Sequence, residues 1–171
     1  MRALLTVVLC CLAAAAQARP LERELPPKGN ACWERSYDAA HLAGHPRQKV
    51  AKIRLLHSPR NWQPGGAGGL YFMLYVNLRA RVNPGQGFDY QLSGVCRAAG
   101  QGLRCVPEWE AGSWWIERGP DGTLHIRNAG IIANPNPYDA EEIADDAVSI
   151  PAKPDDGLWR LSPASGRCEI E

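Results

Sequence analysis

The chain has 171 residues and a formal charge of +1, with 22 % charged and 45 % hydrophobic side chains. These values bound it to one domain and exclude both a disordered chain and a protein that binds by bulk charge. Gly 17 and Pro 14 favour turns and short strands over long helices, and Trp 6 against Phe 2 leaves tryptophan to fill much of any core.

The first eighteen residues read as an address. Met1 and Arg2 give a positive start, Ala3–Ala16 is an apolar run broken only by Thr6, and Ala16-Gln17-Ala18 has the small-x-small cleavage pattern. Residues 1–18 are therefore expected to be a secretory signal peptide. The run is shorter than the roughly 20 residues that a membrane span needs. Cleavage after Ala18 leaves residues 19–171, formally neutral with 18 basic and 18 acidic side chains. Residues 19–30 carry Pro20, Pro26, Pro27 and Gly29 among alternating charges and are expected to be a flexible leader. Residues 31–171 form a single β-rich domain in this reading.

A short helix is expected at Ala39–Ala43, capped by Ser36 or Asp38 and stopped at Gly44. Strands follow. Ala51, Ile53 and Leu55 alternate with Lys52 and Arg54 in Val50–His57. In Leu70–Val82 seven apolar residues recur at every second position. The other face starts with Tyr71, Met73 and Tyr75 and turns polar at Asn77, Arg79 and Arg81, so it is expected to be covered first and wet at its end. Phe88, Tyr90, Leu92 and Gly94 lead into Cys96, and Leu103, Cys105 and Pro107 open a partner strand. Trp114 and Ile116 alternate with Trp115 and Glu117, and Gly119-Pro-Asp-Gly122 is a hairpin turn before Leu124 and Ile126. Ala147–Ile150 and Gly157–Leu161 close the set.

Seven to nine short strands joined by close turns predict a mainly β fold, with one or two short helices and two disulfides. Both a small antiparallel β-barrel of the lipocalin-like up-and-down kind and a β-sandwich fit this count, and consecutive hairpins favour the barrel.

Signal cleavage removes Cys10 and Cys11 and leaves four cysteines, an even number that reads as disulfides in an exported protein. The favoured pairs are Cys96–Cys105, across a Gly-rich hairpin, and Cys32–Cys168, between the two ends of the domain. Loop entropy assigns them about 3 and about 5 kcal/mol. No Cys-x-x-Cys knuckle supports a metal centre.

Candidate binding residues are aromatic. Trp109, Trp114 and Trp115 crowd one hairpin, and Tyr71, Tyr75 and Tyr90 lie on strands. Their flat faces with polar tips suit sugars, cations or a partner. Trp114 and Trp115 must point to opposite faces of one strand, so one packs the core and the other is the binding candidate. His41 and His45 share a helical face and are weak metal candidates without a third ligand. Glu108 and Glu110 lie two apart on one strand face and could serve a hydrolase, although solvation is the commoner role of such a pair. Asp139, Glu141, Glu142, Asp145 and Asp146, then Asp155 and Asp156, match no calcium loop and read as a solvated tract. No nucleophile elbow, phosphate loop or dinucleotide fingerprint occurs, so no cofactor is expected.

Residues 19–104 carry 13 Lys and Arg against 5 Asp and Glu, and residues 105–171 carry 5 against 13. The expected function is a non-enzymatic exported β-domain, periplasmic or extracellular, that binds a small apolar ligand inside the barrel or an envelope protein. An inhibitor or interaction module acting through the 96–105 hairpin is the alternative, and a carboxylate hydrolase ranks last. Nucleic acid is not an expected partner, and membrane contact is at most peripheral.

The run Tyr37-Asp-Ala-Ala-His-Leu-Ala-Gly-His-Pro46 and the run Asp155-Asp-Gly-Leu-Trp-Arg-Leu161 resemble segments of small uncharacterised exported bacterial proteins. The resemblance covers 17 of 171 residues and implies no activity and no site residues.

Overall fold

The computed structural model describes residues 20–26, 29–59, 69–79, 88–107, 110–136, 143–165 and 168. The expected signal peptide lies outside them. Nine strands form one antiparallel sheet: β1 (Ala31–Ser36), β2 (Val50–His57), β3 (Leu70–Leu78), β4 (Tyr90–Ala99), β5 (Gly102–Val106), β6 (Gly112–Arg118), β7 (Leu124–Pro135), β8 (Val148–Ile150) and β9 (Leu158–Pro163). The strands β1 to β7 are neighbours in chain order. The β7 strand then pairs with β9, and β9 returns to β1, which closes an eight-stranded barrel. Barrel, not sandwich, is thus the architecture. The β8 strand stands outside the ring, paired to β7 through Ile131–Ala133. The far end of β7 also meets β4, at Tyr90↔Pro135 and Gln91↔Asn134.

Period-two alternation decides which side chains fill the barrel. Phe72, Leu74 and Val76 of β3, Tyr90, Leu92 and Cys96 of β4, Trp114 and Ile116 of β6, and Trp159 and Leu161 of β9 are all buried in one cluster. Trp114 and Trp159 are its largest members and are fully buried. The apolar face of β3, expected to line the barrel, lies in the same buried cluster as these indoles. Asn77, expected on the wet end of β3, is also buried.

A smaller cluster covers the outer face of the opposite wall, where Cys32, Leu56 and Tyr75 are buried with Met73, Phe88 and Cys168 against them. Both expected disulfides form. Cys32–Cys168 spans 5.7 Å between Cα atoms, and Cys96–Cys105 spans 3.9 Å as a directly opposed pair of the β4–β5 ladder.

The helix α1 (Ala39–Gly44) begins at Asp38, whose carboxylate accepts from the His41 N–H at 2.7 Å. Its last carbonyls are met by Arg79, which donates to Leu42 O at 2.8 Å and His45 O at 3.3 Å. A cation at a helix C-terminus is favourable for the dipole as well as the hydrogen bonds.

The leader departs from expectation. Leu21–Arg23 forms a 3-10 turn, and Leu21 and Leu25 are buried in the barrel cluster. The Leu21 N–H donates to Gln101 O at 3.4 Å, and Glu24 pairs with Arg118 of β6. The two leucines, four apart, bury their apolar surface across one end of the barrel while the charges between them stay in water.

Candidate functional site

A cavity of about 380 Å³ opens where this leader crosses the ends of β2 and β3. Leu25 and Pro26 come from the leader, His57 and Pro59 from the end of β2 and beyond it, and Leu70 and Tyr71 from the start of β3. Glu22 supplies a carboxylate to the lining. The volume falls within the range of small-molecule sites, and the apolar wall with a few polar groups is their usual composition.

His57 is the buried polar residue of this wall, only 3 % exposed. Its Nδ1 lies 3.2 Å from the Tyr71 carbonyl oxygen, so this nitrogen carries the proton and donates. The ring also tilts against Phe72, with centroids 5.0 Å apart. Burial pushes the imidazole below its usual range, against the pull of the Tyr71 and Pro26 carbonyls toward the charged form. The group is therefore neutral at neutral pH, which suits an apolar cavity. The sequence held a signal for it. Ile53, Leu55 and His57 share one phase of the alternation, which places His57 on the same inward face as the two buried aliphatics.

The aromatic candidates separate by face. Tyr71 lines the cavity. Tyr75, four residues on, is buried under Phe88 with ring centroids 5.6 Å apart, and its hydroxyl donates to the Met73 sulfur at 3.4 Å. Burial pushes its phenol up to about 12. Trp114 fills the barrel and offers nothing to solvent, which corrects its place among the binding candidates. Trp115 is the outward one, half-buried on the barrel wall, with the Arg104 guanidinium 5.6 Å from its ring centre. Trp109 lies outside the described residues.

His41 and His45 stack, with ring centroids 4.3 Å apart, and Tyr37 stacks on His41 at 4.6 Å. His41 Nε2 meets Gln48 Oε1 at 3.0 Å. These contacts spend the rings on packing and on a glutamine. Among the described residues no three His, Cys, Asp or Glu side chains converge as a metal set. Glu108 lies outside the described residues, and Glu110 is exposed.

Of the acidic tract, Asp139, Glu141 and Glu142 lie outside the described residues, and Asp145 and Asp146 are exposed. Asp156 is a correction, because it is 2 % exposed. Its carboxylate accepts from the Lys49 N–H at 2.6 Å, the Val50 N–H at 3.3 Å and Trp159 Nε1–H at 3.4 Å. Asp155 accepts from the Arg47 N–H at 3.3 Å. Two acids that read as solvated loop instead pin the start of β2 to the start of β9.

The Cys96–Cys105 hairpin extends three residue pairs beyond its disulfide, to Ala99↔Gly102, and Gln101 at its tip is held by Leu21. It is a docked stave, not a protruding loop. Comparison of the chain with family models, with curated proteins and with solved structures finds no match. The chemistry of the site alone carries its interpretation.

Proposed function

We propose that the protein is an exported, non-enzymatic binding domain. It takes a small, largely apolar molecule at the end of the barrel, in the cavity between the leader, His57 and Tyr71. The carrying observation is the cavity of about 380 Å³ walled by Leu25, Pro26, Leu70 and Tyr71 beside a buried neutral imidazole. Burial of Trp114 and Trp159 on the inner face favours the rim over the barrel axis for this ligand. Two disulfides support an oxidising compartment, and among the described residues no helix is long and apolar enough to cross a membrane.

The test is native mass spectrometry of the mature chain purified from the compartment into which it is exported. A co-purified small molecule is expected on the wild type and is lost from Leu70→Trp, which fills the cavity from its half-exposed wall. Circular dichroism verifies that the variant keeps the fold. A wild-type mass equal to the bare chain, or a molecule retained by folded Leu70→Trp, rejects the proposal.

A further inference from the structure

The charge of this chain is divided between strands and the rest. The nine strands carry eight Lys and Arg side chains and two carboxylates, Glu34 and Glu117. The barrel wall is therefore basic, although residues 19–171 are formally neutral. The acidic excess of the second half of the sequence lies outside its strands.

On one side this basic wall becomes a row. Ladder register sets Arg97 opposite Arg104, Arg104 opposite Trp115, and Trp115 opposite Arg127. Directly opposed residues in an antiparallel ladder share a face, so all four project outward across four strands, over about 14 Å. Arg104 stands over Trp115 at 5.6 Å. Arg127 is steadied by Glu117, with its Nη2 2.8 and 3.0 Å from the two carboxylate oxygens.

Beside Trp115 lies a groove of about 430 Å³ at the tip of the β4–β5 hairpin, lined by Gln101, Gly102, Trp115, Glu117 and Arg118 among others. Gly102 has no room for a side chain, since a Cβ would lie 2.4 Å from Ile116 O. The two strands thus close up and leave the groove floor bare.

We propose that this wall binds an anionic polysaccharide, a chain of sugar rings bearing carboxylates. The indole of Trp115 offers a stacking face for one ring, with Arg104 beside it for the carboxylate. Gln101 and Glu117 in the groove supply hydrogen-bond partners for hydroxyls. Glu117, paired with Arg127 through both carboxylate oxygens, leaves the row with spaced rather than dense positive charge, which suits carboxylates set apart by hydroxyl-bearing rings better than a phosphodiester chain or an anionic bilayer. A flat lipid surface, moreover, needs no groove. The groove shares no lining residue with the end cavity.

The test measures binding of polygalacturonate to the mature protein by isothermal titration and by tryptophan fluorescence, at low and high salt. Salt-sensitive binding is expected. Trp115→Ala should weaken it by at least about tenfold, and Arg104→Gln by about threefold. Lys52→Gln, on the β2 wall across the barrel, should leave it unchanged. All three positions lie on the outer face, and circular dichroism verifies each fold. No binding at low salt overturns the proposal, as does equal binding by folded Trp115→Ala. Tighter binding of single-stranded DNA or of phosphatidylglycerol vesicles than of polygalacturonate also overturns it.

Discussion

The end of the Trp114 indole lies over Gly94. A Cβ built on Gly94 would sit 2.6 Å from Trp114 Cη2 and 3.1 Å from Val106 O. One of the two largest side chains in the barrel is accommodated by a residue without one, two strands away. Gly94→Ala should therefore destabilise the fold by about 1–3 kcal/mol through overpacking. Trp114→Leu removes the clashing ring, so a double-mutant cycle should show a coupling of about 1 kcal/mol or more that relieves the Gly94→Ala defect. Additive losses in urea unfolding would show that the two residues do not compete for this space.

The disulfides differ in what they constrain. Cys32–Cys168 closes a loop of sequence separation 136, and Cys96–Cys105 one of 9. Replacing the first pair with serine should cost about 5 kcal/mol, and the second about 3, on the loop-entropy model. Thiol titration of unfolded, unreduced residues 19–171 should find none of the four cysteines free. Four reactive thiols would reject both bridges.

His57 makes the fold sensitive to acid. Its imidazole is held below the ordinary value of 6.5 by burial. The unfolded chain thus takes up this proton first as pH falls. The contribution is fully present above pH 6.5 and is lost as pH drops through the lower folded value. Unfolding free energies measured between pH 7.5 and 5, a window set around that ordinary value, should fall for the wild type. They should stay flatter for His57→Gln, and identical slopes would remove His57 from this role.

Asp156 works in the opposite sense. Burial holds its carboxyl above the ordinary 3.8, in spite of the Lys49 and Val50 N–H groups that favour the anion. The folded state keeps this proton longer than the unfolded one. Its contribution is fully present below pH 3.8 and is lost as pH rises through the raised folded value. The stability of the wild type relative to Asp156→Asn should therefore decline as pH rises through that window. A difference that grows with pH would reverse the assignment.

Tyr37 and Tyr75 should titrate late. Desolvation pushes both phenols up to about 12 from 10.0. Their neutral forms stabilise the fold below pH 10, and this is lost as pH rises toward 12. Spectrophotometric titration of Tyr75→Phe should lose a late-titrating phenol and keep the early ones. Loss of an early one would place Tyr75 in water.

The strands and their inward residues were legible because alternation is local. Val50–His57 spans the observed β2, and Phe72, Leu74, Trp114 and Ile116 face inward as their phase requires. The four cysteines beyond the expected signal segment point to both disulfides for a similar reason: few pairings are possible. The cavity was less legible. Tyr71 stands out by its chemistry, but its neighbours Leu25 and His57 come from other segments, and the leader's proline and charge pattern conceals the docking of Leu21 and Leu25.

By itself the sequence determined a set of amphipathic staves, their turns, and which indole of Trp114-Trp115 must face away from the other. Closure of the ring by β9 against β1, burial of Asp156 and the row from Arg97 to Arg127 belong to the tertiary structure alone. The physical reason is range. A two-residue period is written into each strand, whereas register between strands sets which charges and rings become neighbours, and that depends on contacts between segments far apart in the chain.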